Sequence, residues 1–482
     1  MKRKSVVRFI IIIFWVVMIA ILFKKNLHTT YKITPLPYQP EKGEKVEKEW
    51  YGIYFKGEKI GYNIREEKET KEEIRIKEKT FLKMNIMDTI QKISLITDSL
   101  LNKDYSLKNF DFYTSSGIMQ IRVKGKVRDH ILDIDIISSG NKTNQKIHLK
   151  SPIYLSSSIN GYLSHISLKP GMKFEVPFFD PSSLDNRMLP VEVIGKEKVK
   201  IHGKSVDAIK IKLTYGGMDL FLWMDNSKKT IKEQSPMGFV MIKEKKEVAL
   251  ANIKSPKKAI DIIKASSIPI DKPIKNQEKL KMLVVNLSGF NKKGMDLDGE
   301  RQSFKEGNLI IKKENISKIK KVLTDDKFLF STPFIQSDNP EIKEIAKKII
   351  GNERKRLKQI KLILNWMNKN IKKEPILSIP NALEVLKKKR GDCNEHAVLF
   401  TALARSISIP TRIAIGVVYL DGAFFYHAWC EVLLDKWITV DPVFNQIPAD
   451  VTHIRFILGD IKRWVEINRL LGKLRIKVVD AK

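Results

Sequence analysis

The sequence predicts a multidomain fold with an N-terminal transmembrane helix, a β-rich middle region and a C-terminal α+β domain. The chain has 482 residues, of which 43% are hydrophobic and 30% charged, so it is long enough to bury two or three separate cores. It opens on an apolar run, alternates apolar and polar residues through its middle, and shows helical apolar spacing from about residue 339. We place a signal-anchor helix at 1–23, a linker at 24–48, one or two β-rich domains at 49–255, a linker at 256–279, a short β section at 280–335 and the C-terminal domain at 336–482.

The N-terminus has the pattern of an uncleaved signal-anchor. Basic residues within the first eight positions precede an apolar run that ends at Phe23, about the length of a helix that crosses a bilayer. The residues at the end of the run, 21–25, include none of the small side chains that a cleavage site needs. Since a basic N-terminus stays in the cytoplasm, we expect a single-pass protein of the cytoplasmic (inner) membrane, with the bulk of the chain extracytoplasmic.

The composition indicates which partners to expect. The formal net charge is +33, from 88 Lys and Arg against 55 Asp and Glu, which favours attraction to anionic cell-surface polymers. The basic residues are spread through every segment rather than gathered in a stripe, so we expect no nucleic-acid partner. Zinc-finger, Walker and dinucleotide-binding motifs do not occur, and the fragment DLDGE at 296–300 lacks the ligands and spacing of a calcium loop. We therefore expect no cofactor and no metal.

The middle of the chain reads as antiparallel β structure joined to its neighbours by polar linkers. Segments such as EEIRIKEKTFLKMNI and HILDIDIISSG alternate apolar and polar residues, as half-buried strands do. The flanking stretches HTTYKITPLPYQPEKGEKVEKE and KSPKKAIDIIKASSIPIDKPIKNQ are rich in Pro and charge without apolar periodicity. The β-rich region carries no cluster of His, Cys or paired carboxylates, so we expect it to act in spacing or binding.

Cys393 stands at the start of an apolar helix in RGDCNEHAVLFTALARSISIPTR, residues 390–412. Apolar residues on one stripe of the segment predict a core-facing helix, and Asp392 is a plausible cap. The unpaired N–H groups of a helix N-terminus favour a thiolate and can face an oxyanion. The position therefore predicts an activated cysteine with a lowered pKa.

His427 and Asp441 lie on the two strands that follow this helix. A thiol nucleophile needs an imidazole to exchange its proton, and the imidazole needs an orienting acceptor. The sequence AFFYHAWCEVLL places His427 on one strand, and KWITVDP places Asp441 on the next. We expect His427 to pair opposite Asp441 through an odd-length loop centred on Leu434, because this register aligns both the polar and the apolar faces.

Other side chains near these motifs have simpler interpretations. Cys430 falls on the strand face away from His427, which predicts a buried and inert thiol. His396 would compete for Cys393 from the same helix, but a base on a separate element reaches the sulfur more directly. Trp429 and Trp437 suit either core packing or the wall of a groove. Four further polar residues near the motifs receive no role: Glu395, Asn445, Gln446 and His453.

The C-terminal sequence resembles the transglutaminase-like superfamily, whose fold is papain-like. The likeness rests on GDCNEHAVLFTALARSISIPTR followed by YHAWCEVLLDKWITVDPVFNQ, and it covers roughly residues 340–460. It implies that Cys393 is the nucleophile, His427 the general base and acid, and Asp441 the residue that orients His427. With the N-terminal anchor predicted above, we expect a membrane-anchored, bacterial-type member. It says nothing about residues 24–330.

Two classes of function fit these observations. The first is a cysteine peptidase, amidase or transglutaminase that attacks amide bonds of extracytoplasmic proteins or peptides through a thioester. Hydrolysis is favoured over amine transfer because similar bacterial domains include peptidases and the chain has no obvious calcium-regulated loop. The alternative is a non-catalytic binding or assembly module that uses the C-terminal domain as a scaffold. Faster labelling of Cys393 than of Cys430 by a thiol-reactive electrophile would favour the enzyme.

Overall fold

The first half of the protein is a 14-stranded antiparallel sheet. The computed structural model describes residues 45–482 apart from 87–88, 118, 139, 236–237, 252, 254–261, 317–322 and 377. The strands of the sheet, in chain order, are β1 Lys45–Phe55, β2 Glu58–Glu69, β3 Ile74–Ile86, β4 Thr89–Leu101, β5 Leu107–Ser116, β6 Met119–Arg128, β7 Ile131–Ser138, β8 Asn141–His148, β9 Lys173–Asp180, β10 Asp185–Ile201, β11 Lys204–Tyr215, β12 Met218–Asp225, β13 Thr230–Gln234 and β14 Phe239–Glu244.

Two meanders meet in this sheet through its first and last strands. The spatial order is β8-β7-β6-β5-β4-β3-β2-β1-β14-β13-β12-β11-β10-β9. Strand β1 pairs with β14 from Trp50 opposite Glu244 to Phe55 opposite Phe239. All other neighbouring strands of this sheet are consecutive in the sequence and pair as hairpins. The β1–β14 pairing is therefore the long-range contact that joins the two meanders.

The two meanders share a hydrophobic core around a short helix. Apolar residues from both halves, such as Ile76 and Val191, belong to one buried cluster with Leu163 of helix α1, Ser156–His165. A Cβ atom at Gly161 would lie 1.9 Å from Tyr105 Cε1, so a glycine is required where the helix meets the turn between β4 and β5. The sheet is therefore wrapped around α1 with apolar side chains between its halves.

The C-terminal part combines helices with two larger sheets and the two-stranded pair β19–β20. The helices after α1 are α2 Lys246–Leu250, α3 Ile262–Ser266, α4 Pro340–Ile350, α5 Arg356–Asn370, α6 Ala382–Lys388, α7 Cys393–Ser406 and α8 Ile461–Trp464, and short 3₁₀ turns cover Gln277–Lys279, Asp326–Phe328 and Val465–Arg469. The remaining strands are β15 Ile268–Pro269, β16 Met282–Ser288, β17 Gln302–Lys305, β18 Asn308–Lys312, β19 Lys372–Lys373, β20 Arg390–Gly391, β21 Thr411–Leu420, β22 Ala423–Leu433, β23 Trp437–Val440, β24 Ile454–Leu458 and β25 Arg475–Ala481.

Helix α7 lies against the sheet that holds the candidate site. That sheet has the order β15-β22-β21-β24, and β23 pairs with β22. A second sheet, β17-β18-β16-β25, joins residues 282–312 to the last strand of the chain. Apolar residues of α4, α5, α6, α7 and both sheets form one buried cluster, so residues 282–312 pack as part of the body that carries α7.

The predicted fold class is wrong in its transmembrane element. Among the helices that the structure describes, none is both long and apolar enough to cross a membrane. The longest, α5, has 15 residues, whereas a span needs about 20 apolar ones. The predicted helix at 1–23 lies outside the described residues. The observed structure is 49% β-strand with few helices, so the transmembrane element and the single-pass location in the cytoplasmic membrane are both withdrawn.

Glu384 connects the 14-stranded sheet to the helical part. Its carboxylate accepts a hydrogen bond of 2.6 Å from Ser138 Oγ and one of 3.1 Å from the backbone N–H of Gln120. Burial raises the pKa of Glu384, and these two donors act in the opposite direction. A buried carboxylate thus satisfies two donors of the neighbouring sheet.

We expect Glu384→Ala to lower the free energy of unfolding by about 1–3 kcal/mol, because two donors of the sheet lose their acceptor. Urea unfolding followed by tryptophan fluorescence measures the change. The matched control is Glu344→Ala on the exposed side of α4, with an expected change within about 0.5 kcal/mol. Equal effects of the two substitutions would contradict a stabilising contact at Glu384.

Candidate active site

Cys393 is the first residue of helix α7, as the sequence predicts. Asp392 is the N-cap and accepts a 2.9 Å hydrogen bond from the backbone N–H of Asn394. Glu395 Oε2 accepts a 3.1 Å bond from the backbone N–H of Asp392, which completes a capping box. A Cβ atom at Gly391 would lie 2.2 Å from Glu395 Cβ, so only glycine fits before the cap. These contacts fix the point at which the helix, and with it Cys393, begins.

The hairpin after the helix has the predicted odd-length loop but a different register. The observed pairs run from Cys430 opposite Val440 to Leu433 opposite Trp437, which leaves a three-residue loop centred on Asp435. Extended by one pair, this register sets Asp441 level with Trp429 rather than with His427. The observed register differs from the expected one by two residues, so each side chain lies on the strand face that was predicted for it. His427 reaches Asp441 diagonally across the strand pair.

Asp441 joins two histidines through one oxygen atom. His427 Nε2 lies 2.7 Å from Asp441 Oδ2, and His453 Nε2 lies 2.9 Å from the same atom. The other oxygen, Oδ1, accepts bonds of 2.7 Å and 2.9 Å from the backbone N–H groups of Val443 and Phe444. The structure therefore brings His427 and Asp441 together, and it adds His453, to which the sequence analysis gave no role.

The environment of Asp441 keeps its carboxylate ionised. Burial alone would raise its pKa, but the charges and hydrogen bonds of His427 and His453 outweigh burial and hold the pKa of Asp441 well below its usual range. Burial likewise acts to lower the pKa of His453, whereas Asp441 and Asp450 raise it to about 9. At neutral pH, Asp441 is thus an anion and His453 a cation.

Cys393 meets the strand of His427 at the next residue. The backbone N–H of Ala428 is close enough to Cys393 Sγ to act on its thiol, so the sulfur lies beside the strand position that follows His427. The pKa of the Cys393 thiol is raised well above its usual value, first by burial and then by the charge of Asp392, while the Ala428 N–H acts to lower it. This direction is opposite to the one expected from the helix N-terminus, because burial and the neighbouring acidic groups all act to raise the pKa of Cys393.

Cys430 and His396, which have no part in the Asp441 cluster, are both buried. Cys430 is fully buried, and its Sγ lies 3.4 Å from the carbonyl oxygen of Ala397 and 3.5 Å from Thr401 Oγ1; the predicted burial of this thiol is confirmed. His396 Nδ1 donates a 2.7 Å bond to the carbonyl oxygen of Asp392. Burial lowers the pKa of His396, so this ring is a neutral part of the helix start.

Aromatic rings surround the histidine pair. The ring of Phe444 stacks on His427 with centroids 5.2 Å apart, and Trp429 meets the edge of His453 at 5.2 Å. Trp429 is fully buried, so it packs in the core, whereas Phe444 is 37% exposed and covers His427 from the solvent side. Trp437 instead stacks with Arg412, 3.9 Å from its ring centroid.

Residues far upstream support the loop that carries His453. Arg301 donates a bond of 2.8 Å to the carbonyl oxygen of Asp450 and one of 2.6 Å to Thr439 Oγ1. Glu314 Oε1 accepts from both the N–H and the hydroxyl of Thr439, at 2.8 Å and 2.7 Å. The sequence pattern of 280–335 gave no sign of this, because single buried charges within a β segment do not reveal their partners.

One feature of the sequence could have predicted a contact of His453. Asp450 and His453 are three residues apart in ADVTHIRF, a spacing at which an Asp can bond a following His in a turn. In the structure His453 Nδ1 lies 3.2 Å from Asp450 Oδ1. Its second contact, to Asp441, depends on how the loop folds back and had no local signal.

Metal-binding side chains approach each other at one place in the described residues. His427, Asp441 and His453 each have one nitrogen or oxygen within 4.8 Å of the others. Hydrogen bonds between these same atoms account for the spacing, and we assign no metal to the cluster.

We expect the free energy of unfolding to fall as the pH rises, because His453 loses its proton. Its pKa is raised from 6.5 to about 9 by folding, so its contribution is complete below pH 6.5 and is lost as the pH passes 9. Urea unfolding at pH 6.5 and 9.5 should show a loss on the order of 2–3 kcal/mol that His453→Gln lacks. Parallel losses in the two proteins would contradict the assignment.

Comparisons with known proteins agree with the C-terminal resemblance. Residues 343–442 match the family model of the transglutaminase-like superfamily. An uncharacterized protein of Haemophilus influenzae is 33% identical over 95 residues, which are 19% of this chain and 26% of that protein. The chain thus spans about a quarter of the length of this curated relative.

Two solved structures are similar at low scores. A candidate cysteine protease from Cytophaga hutchinsonii is 17% identical, with a TM-score of 0.28, over 42% of this chain and 86% of its own. A candidate protease from Parabacteroides distasonis is 11% identical, with a TM-score of 0.20, over 67% of this chain and 63% of its own. The family match carries the assignment: residues 343–442 are a domain of the transglutaminase-like superfamily.

Proposed function

We propose that this protein is a cysteine enzyme that attacks amide bonds of proteins or peptides through a thioester intermediate. Cys393 is the nucleophile, His427 the general base and acid, and Asp441 the residue that orients His427. One observation carries the proposal: His427, bound to Asp441 at 2.7 Å, directly precedes the residue whose N–H meets Cys393 Sγ. The transglutaminase-like domain supports the same class of chemistry.

The hydrogen bonds determine which nitrogen of His427 can act as a base. Asp441 is an anion and its Oδ2 accepts from His427 Nε2, so Nε2 carries a proton and Nδ1 holds the free electron pair. In the acylation step, Cys393 Sγ bonds to the substrate carbonyl carbon while its proton passes to Nδ1. The C–N bond then breaks, the proton passes to the leaving amine, and a thioester remains.

The tetrahedral intermediate requires a donor for its negative oxygen. The backbone N–H of Cys393 occupies the first position of α7, and N–H groups in a first turn have no acceptor within the helix. This geometry supports Cys393 N–H as one oxyanion donor. Phe444, stacked on His427, helps to exclude water from the imidazole.

The outcome depends on the acceptor that resolves the thioester. Water gives hydrolysis, and a lysine-like amine gives cross-linking. We favour hydrolysis, as the sequence analysis did. The charge of +33 supports acidic proteins and anionic cell-surface polymers as partners. The extracytoplasmic location of the substrate rested on the withdrawn membrane helix and is not part of the proposal.

Cys393 should react as a protonated thiol rather than as a preformed ion pair. Its raised pKa means that the thiolate fraction is small at pH 7 and grows with pH. The iodoacetamide alkylation rate, followed by peptide mass spectrometry in a Cys430→Ala background, should reach its midpoint above the free-thiol value of about 8.5. A midpoint below 8.5 that rises in His427→Gln would instead establish an ion pair.

Substitution of the proposed nucleophile or of the proposed base should remove turnover without unfolding the protein. We expect no activity in Cys393→Ala and losses of about 10²–10⁴-fold in His427→Gln, while Cys430→Ala retains activity. Acidic and basic protein substrates are offered with and without dansylcadaverine, and cleavage, ammonia release and amine incorporation are measured. Cleavage or ammonia release supports hydrolysis, and incorporation supports transfer.

The scaffold alternative has a distinct result in the same assay. If Cys393→Ala and the unsubstituted protein give identical product levels over all substrates, the proposed chemistry is wrong. The two proteins would then differ only in thiol content, as expected for a binding module.

A further inference from the structure

Asp441 carries a second imidazole that the proposed reaction does not use. His453 is fully buried and meets Asp441 Oδ2 at 2.9 Å, beside the 2.7 Å bond from His427. Its other nitrogen, Nδ1, lies 3.2 Å from Asp450 Oδ1. Hydrogen bonds thus connect four side chains in the order His427, Asp441, His453, Asp450, and both imidazoles contact Asp441.

Both nitrogens of His453 must donate in this arrangement. Asp450 Oδ1 already accepts from the backbone N–H and the hydroxyl of Thr452, at 2.9 Å and 2.6 Å, so it is an acceptor toward His453. Asp441 accepts from two backbone N–H groups through its other oxygen, which marks it as ionised too. An imidazole that donates from both nitrogens is an imidazolium.

We infer that His453 is a positioning residue, a buried cation that holds Asp441 in place and shares its negative charge with His427. The inference rests on the proposed function, in which His427 must be neutral before it accepts the thiol proton. An unshared Asp441 carboxylate would attract the proton of His427 more strongly and keep the ring charged to higher pH. His453 therefore competes with His427 for the negative charge of the one oxygen atom that both rings contact.

The charged groups around His453 come from three elements. Asp441 follows strand β23, Asp450 lies in the loop before His453, and His427 approaches from β22 with ring centroids 5.8 Å apart. Arg301 binds the backbone of Asp450 and fixes the loop without touching the imidazole. The rings of Trp429 and Phe444 also contact His453 and carry no charge, so among these contacts the negative charge comes from the two carboxylates.

The test measures the titration of His427 directly. The full chain is labelled with [¹³Cε1]histidine, and proton–carbon correlation spectra are recorded from pH 5 to pH 10. Comparison with His427→Gln and His453→Gln identifies the two resonances among the 8 histidines. We expect His453 in the unsubstituted protein to keep its imidazolium signal until about pH 9.

Two substitutions remove the cation in different ways. His453→Gln deletes the imidazole, whereas Asp450→Asn keeps the ring and its hydrogen-bond acceptor but removes the charge that favours double protonation. Each should raise the titration midpoint of His427 by about 1 pH unit, a tenfold gain in proton affinity. The matched control, His148→Gln on the exposed face of β8, should leave it unchanged.

A purely structural role would give another pattern. Thermal unfolding would then change in the His453 and Asp450 variants while the His427 midpoint stays where it is, and this result would overturn the inference. If His453→Gln does not fold, Asp450→Asn decides. If neither folds, a His453 signal that titrates near pH 6.5 in the unsubstituted protein overturns it.

The spectra do not depend on enzyme activity. The proposed enzyme function and the proposed role of His453 can therefore be rejected independently of each other. A shifted His427 midpoint in a protein that cleaves and transfers nothing would leave the charge-sharing arrangement standing and reject the enzyme. In an active protein, the acid limb of kcat/KM should move upward by the same amount in Asp450→Asn. An acid limb that stays in place despite the shifted midpoint would refute the positioning role.

Discussion

The buried carboxylate of Asp441 is the constraint on which the site depends. An ionised carboxylate removed from water is strongly unfavourable unless hydrogen bonds and opposite charge compensate. Here two histidines and two backbone N–H groups supply them. To bring those four donors together, the strand before Asp441 must pair with β22, the chain must turn at once, and the following loop must fold back to return His453. The fold of the loop from Asp441 to His453 is thus required to stabilise one buried anion by hydrogen bonds from the protein.

The same requirement extends into the upstream segment. Residues 282–312 form a sheet with the last strand of the chain, and this sheet brings Arg301 and Glu314 against Thr439 and the carbonyl oxygen of Asp450. Arg301 is fully buried, and its pKa is lowered by that burial although Glu314 acts against it. A segment separated from Asp441 by more than a hundred positions therefore holds the residues on both sides of it.

The sequence predicted those features of the site that depend on local patterns. The helix start at Cys393, its Asp392 cap and the odd loop between the two strands follow from neighbouring residues. The register was displaced by two positions, because alternation of apolar residues distinguishes faces but not equivalent positions on one face. The partners of His453 and Arg301 escaped prediction because they depend on long-range packing. The direction of the Cys393 pKa was missed since burial, which opposes the helix terminus, is a tertiary property.

The pairing of β1 with β14 delays assembly of the 14-stranded sheet while the protein is being synthesised. Strand β1 leaves the ribosome first and can pair with β2 at once, but its other neighbour is far along the chain: Tyr54 and Glu244, which share a hydrogen bond, are 190 positions apart. At ordinary translation speed, roughly 10–40 s pass before that partner exists. During this interval the nascent protein presents an open strand edge, so the step most exposed to misassembly is the one that joins the two meanders.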